Sequence, residues 1–141
     1  MQTEALTGGF TTAPTQAAEA FRAVMRAMAR PGTIERITGA RPPLPLSPAA
    51  GAVILTLCDP ETPLHLAGAA DTPMVRDWIT FHTGAPLVER ARASFALGPW
   101  QALLPLTDYP VGSAEYPDRS TTLIVEMPTL TQTGARLTGP G

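Results

Sequence analysis

Residues 47–67, SPAAGAVILTLCDPETPLHLA, decide how the chain is read. Ser47 carries the side-chain oxygen that an N-cap needs. Pro48 brings a preset φ and a missing N–H to the first helical position, where neither disturbs the helix. Val53, Ile54, Leu55 and Leu57 then supply a heavily apolar body. Asp59-Pro60-Glu61-Thr62 is a turn, and residues 63–67, Pro63-Leu64-His65-Leu66-Ala67, follow as a strand. A capped helix passing straight into a strand is the start of an α/β arrangement.

The alternation continues on both sides. Downstream, Asp71 is expected to cap a helix in which Met74, Val75, Trp78, Ile79 and His82 share one face. A strand at residues 94–97, a short segment at 100–104 and a polar loop to Ser120 follow. The strongest strand is TTLIVEM, residues 121–127, and a final one at 135–138 runs into Gly139-Pro140-Gly141. Upstream, residues 1–14 form an extended lead-in ending at Pro14. Thr15 is the expected N-cap of a helix, with Glu19 near the positive end of its dipole. In that helix Phe21, Val24, Met25 and Met28 recur at i, i+3, i+4 and i+7 as one apolar face. Pro31-Gly32 stops it, and residues 33–37, Thr33-Ile34-Glu35-Arg36-Ile37, read as a short strand. RPPLPLSP, residues 41–48, is a connector rather than an SH3-type ligand, because it leads directly into the helix capped by Ser47. The expected fold is a single α/β domain over residues 1–141, a mixed β-sheet flanked by helices, without internal repeats.

Composition narrows the chemistry. All ten basic residues are arginine, so there is no lysine for a Schiff base, a P-loop or a general base. An arginine-rich genome accounts for such a bias, and the exclusion holds whatever its origin. Arginine stays protonated, and its planar fork suits carboxylates and phosphates. With 44% hydrophobic and 16% charged residues, 12 glycines and 16 prolines, the chain is that of a globular domain rich in turns. A net charge of −2 gives no broad field for nucleic acid or an anionic membrane. The single cysteine, Cys58, fits a reducing compartment. MQTEALTGGF does not resemble a signal peptide, and no apolar run approaches the ~20 residues of a membrane span. A soluble cytoplasmic protein is expected.

No residue pattern is a self-sufficient active site. His65 and His82 lie in different elements and, with one cysteine, form no metal-ligand spacing, so no metal is expected. Cys58 follows an apolar helix, and its default role is that of an unreactive thiol. Gly112-Ser113-Ala114 lacks the second glycine of a nucleophile elbow, and Gly8-Gly9 and Gly39 do not make a phosphate-cradling loop. His82, in Phe81-His82-Thr83-Gly84-Ala85-Pro86, stands at a helix end whose dipole favours imidazolium. Its ring is expected to donate to a carbonyl of that helix end or the following loop, with contact to a ligand or partner as the alternative. Arg22, Arg26 and Arg30 recur every four residues as a guanidinium stripe. A solvated face, an acidic partner surface and a phosphate ligand are the three readings of that stripe.

These segments together resemble one family. Phe21-Arg22-Ala23-Val24-Met25-Arg26-Ala27-Met28-Ala29-Arg30-Pro31-Gly32 is similar to the F-R-x-[LV]-M-x-A-[FM]-x-x-P-G opening of PhnH, the H subunit of the bacterial carbon–phosphorus lyase core complex. Val53-Ile54-Leu55, Leu57-Cys58-Asp59 and Glu61-Thr62-Pro63 resemble its L-x-T-L-x-D-x-x-T-P block. Phe81-His82-Thr83-Gly84-Ala85-Pro86-Leu87 resembles F-H-T-x-A-P-L. Residues 120–125 and Leu137-Thr138-Gly139-Pro140-Gly141 resemble the late strand and the L-T-G-P-G motif.

The resemblance implies a fold similar to pyridoxal-phosphate-dependent transferases but without that cofactor. It implies assembly with the G, I and J subunits. It also implies, with G, I and L, a part in moving a phosphonate onto the ribose of ATP, with loss of adenine, to give a ribose 1-phosphonate 5-triphosphate. No catalytic residue is carried over. The rival readings are an enzyme domain active by itself, binding a nucleotide or phosphonate through Arg22, Arg26, Arg30 and His82, and a small regulatory module. The resembled family continues beyond L-T-G-P-G. An open sheet edge or exposed apolar side chains near Leu123, Val125 or Leu137, or a homodimer covering them, are therefore expected.

Overall fold

The computed structural model describes residues 3–140; Met1, Gln2 and Gly141, the last residue of L-T-G-P-G, lie outside the described residues. Among the described residues, four α-helices and three strands follow in the order α1 (Ala13–Ala29), α2 (Pro48–Leu57), β1 (Leu64–Leu66), α3 (Pro73–Thr83), β2 (Phe95–Pro99), α4 (Trp100–Leu103) and β3 (Thr122–Glu126). The strands form one sheet in the order β1-β2-β3, parallel throughout, with Leu64 opposite Phe95 and Phe95 opposite Thr122. The α/β expectation holds. The expected mixed sheet is corrected to a parallel one, since each strand returns to the same end through an intervening helix or loop.

The pleat sorts side chains to two faces. Leu64, Leu66 and Leu97 point to one face, against Ile54 of α2 and Val75, Trp78 and Ile79 of α3. Ala96, with half-buried Leu123 and Val125, points to the other, against Leu103 of α4 and Tyr109. The second face has the thinner cover, because α4 is a single turn. Where β2 passes the segment after β1, Gly98 is required: a Cβ there would stand 2.7 Å from the Ala67 carbonyl oxygen.

Local chemistry explains most boundaries. The Ser47 hydroxyl accepts from the Ala50 amide, as a cap should, and Pro48 opens α2. For α3 the cap is Thr72, whose hydroxyl accepts from the Val75 amide, with Pro73 next. The expected cap, Asp71, instead pairs with the Arg76 guanidinium. Gly84 ends α3 at φ 70°, the left-handed conformation that glycine adopts freely. In α1 the expected cap Thr15 lies inside the helix. Thr12 is the N-cap, and the Gln16 side chain reaches back to accept from its amide at 2.8 Å.

Two expected strands are absent. Residues 33–37 form no strand and are fastened by the Arg26–Glu35 pair rather than by a neighbouring strand. Residues 135–138 are exposed and form no strand, so apolar alternation over so short a stretch did not find a partner. The lead-in is better defined than expected. Residues Thr3–Leu6 form a 3₁₀ turn, Ala5 is fully buried, and the Gly8 carbonyl accepts from the Arg41 amide at 2.8 Å.

Candidate functional site

Three places gather the residues that could carry function. The first is His82, on the last turn of α3. Its Nε2 donates to the Thr7 carbonyl at 3.2 Å, and the indole N–H of fully buried Trp78 donates to the same oxygen at 2.9 Å. The ring lies tilted against Trp78 and edge-on to Phe81, with centroids 5.0 and 4.9 Å away. Gly9 lies so close that a Cβ there would be 2.7 Å from Nδ1. The expected structural donation therefore exists, but its acceptor is in the N-terminal segment rather than at the helix end. His82 also borders a depression of about 370 Å³ with Leu6, Phe10 and Leu55.

The second place is the guanidinium stripe of α1. Arg22, Arg26 and Arg30 are all exposed. Arg26 donates to Glu35 at 2.8 Å, and that bond raises its pKa further. None of the three borders the depression beside His82. Arg26 instead borders a small hollow with Glu19 and Arg36.

The third place was missed from the sequence. An open cleft of about 450 Å³ lies beside His65, Glu89, Arg90 and Asp108. His65 Nδ1 donates to the Val88 carbonyl at 2.9 Å. Arg90 donates to the carbonyls of Leu103 at 3.0 Å, Leu104 at 2.8 Å and Ala102, the orphan acceptors at the end of α4. Its guanidinium stands over the Tyr109 ring and 3.8 Å from Asp108. Arg90 is thus a clamp on the chain reversal after β2. Nothing in the spacing of Arg90 to residues 102–104 announces a clamp, because any arginine in a polar loop reads as solvated.

Cys58 caps α2 and is buried, and loss of water pushes its thiol up to about 11. That suits the unreactive role expected of it. Among the described residues, no group of three or more histidine, cysteine, aspartate or glutamate side chains is placed to hold a metal ion, and no helix is long and apolar enough to cross a membrane. His82 through Nε2 and Arg90 through its guanidinium hold chain segments together, and Arg22 and Arg30 are exposed.

Comparison with known proteins agrees with the motifs. The family model described as bacterial phosphonate metabolism protein (PhnH) matches residues 8–141. A subunit of Rhizobium meliloti (strain 1021), the alpha-D-ribose 1-methylphosphonate 5-triphosphate synthase subunit PhnH, is 43% identical over 143 residues, covering 99% of this chain and 71% of that protein. A family match over residues 8–141, which takes in His82, Arg90 and the arginine face of α1 alike, identifies this chain as a member of the PhnH family of bacterial phosphonate metabolism proteins.

Proposed function

We propose that the chain serves as the H subunit of an alpha-D-ribose 1-methylphosphonate 5-triphosphate synthase in the breakdown of organic phosphonates. The identity of 43% across 99% of the chain with a subunit of that name carries the reading. Assembly with G, I and J subunits, and cooperation with L in moving a phosphonate onto the ribose of ATP, follow from it. The domain is read as one α/β unit related in fold to pyridoxal-phosphate-dependent transferases, working in the cytoplasm and using no cofactor of its own. Engagement of His82 Nε2 by Thr7 and of Arg90 by the end of α4 gives both side chains a part in holding chain segments together, which supports a contribution through assembly.

Co-expression of the tagged chain with the G, I and J subunits of the same organism tests the proposal. A stable assembly containing all four is expected after size-exclusion chromatography. Elution of the chain apart from an otherwise intact assembly overturns it.

A further inference from the structure

The strongest unassigned feature is helix α1, whose buried residues are alanines while its largest apolar side chains are exposed. Ala20 and Ala23 are 3% exposed, whereas Phe21, Met25 and Met28 are 46, 56 and 72% exposed. At 3.6 residues per turn those three form one line along the helix, and Arg22, Arg26 and Arg30 form a second line beside it. α1 lies against α2, and Ala20 and Ala23 border a small hollow with Arg36, Ile37 and Thr38, while the large side chains are exposed. Beyond the helix end, exposed Leu137 lies next to Gly32. A contiguous apolar strip rimmed by charge is the mark of a contact surface rather than of a solvated helix.

Charge indicates what covers it. Glu19, Arg22, Arg26, Arg30, Glu35 and Arg36 place four arginines against two glutamates on and beside this helix, although the whole chain is net negative. Glu35 is bound to Arg26, and Arg22 and Arg30 have no carboxylate partner among the described residues. A second copy meeting this face through its own α1 would bring like charge to like charge. An acidic surface would instead complete the two unpaired guanidinium groups.

We propose that the outer face of α1 is a docking surface for an acidic surface with an apolar centre on another subunit of the same synthase. Phe21, Met25 and Met28 are its anchors, and Arg22 and Arg30 set its orientation. This rests on the subunit reading above and adds the face through which it operates. Flexible methionines beside one aromatic ring suit such a role, since they fill an irregular partner surface.

The test uses the full chain and, as the probe, the synthase assembly of the same organism purified without it. Binding is measured at low and high salt for the wild type, Phe21→Asp with Met28→Asp, Arg22→Glu with Arg30→Glu, and Val111→Asp as an exposed apolar control elsewhere. Circular dichroism checks folding, and Met25→Gln serves as a milder variant should the paired aspartates disturb the helix. Loss of at least about tenfold in affinity is expected for both α1 pairs, with Val111→Asp unchanged and with weaker salt dependence in the arginine pair. Wild-type-like binding by the α1 variants overturns the surface while leaving the subunit reading intact. Failure of the wild type itself to bind overturns both. A wild-type dimer that Phe21→Asp with Met28→Asp makes monomeric assigns the face to a second copy and overturns the proposal. So does hydrogen-exchange protection of α1, without any partner, in a version lengthened by the unmatched residues of the Rhizobium meliloti relative.

Discussion

Ser47 and Glu126, 79 positions apart, are joined by two hydrogen bonds of 2.7 Å: the Glu126 carboxylate accepts from both the amide and the hydroxyl of Ser47. The same hydroxyl accepts from the Ala50 amide, so one serine caps α2 and fastens it to the end of β3. A carboxylate at the positive end of a helix is favoured by the dipole as well as by the bonds. Glu126→Ala is expected to cost about 1.5–3 kcal/mol, the range for a hydrogen bond to a charged group. Ser47→Ala is expected to cost roughly 0.5–2 kcal/mol through the lost cap. The double variant should lose less than the sum, because both changes remove the same clamp. Urea unfolding of the four proteins measures this, and strict additivity would mean that the two bonds do not act as one.

Arg90 gives a second prediction. Arg90→Leu strands the carbonyls of Ala102 and Leu104, while that of Leu103 keeps the Tyr109 hydroxyl, and should destabilise the chain by about 1–3 kcal/mol. Arg90→Lys should rescue little, because an ammonium cannot present the planar fork that reaches all three acceptors. Full rescue by lysine in thermal unfolding would mean that charge near Asp108, rather than the fork, is what matters.

The Cys58 thiol carries a prediction about pH. Burial raises its pKa from 9.0 to about 11, so the folded chain holds the proton more tightly than the unfolded one. Its contribution to stability is complete below the unfolded value and is lost as pH rises through the folded one. Cys58→Ala should therefore flatten the fall in urea midpoint between about pH 9 and 11. Alkylation by iodoacetamide at pH 8 should proceed only as the chain unfolds. Rapid labelling of the folded protein would contradict this account.

His82 is predicted to matter for folding first. His82→Phe keeps a ring against Trp78 but loses the donation to Thr7, and should lower stability by about 0.5–1.5 kcal/mol. Gly9→Val should cost more, because its side chain enters the space of the imidazole. Trp78 fluorescence reports both, since its indole shares the Thr7 carbonyl. A His82→Phe protein as stable as the wild type would make the imidazole available for another role.

The sequence disclosed what depends on neighbours and hid what depends on distance. Ser47-Pro48 marked its helix because capping is local, and β1, β2 and β3 followed from short apolar runs between turn residues. Asp71 was the wrong cap by one position. Asp, Thr and Pro occur there in succession, and only the structure shows that Arg76 takes the aspartate. The line of Phe21, Met25 and Met28 was legible as a helix face, but periodicity does not say which face is inward, and the alanines took that place. No local signal ties Thr7 to His82 or Arg90 to Leu104, so the roles of both side chains had to come from the fold.

Reconstitution of the synthase tests the central claim most directly. The G, I and L subunits, a phosphonate and ATP are combined with and without this chain, and adenine release is followed by chromatography. Release is expected only when the chain is present with the others, and none from the chain alone. Release by G, I and L at the same rate without it, or by the chain unaided, would contradict its assignment as a subunit that acts through assembly.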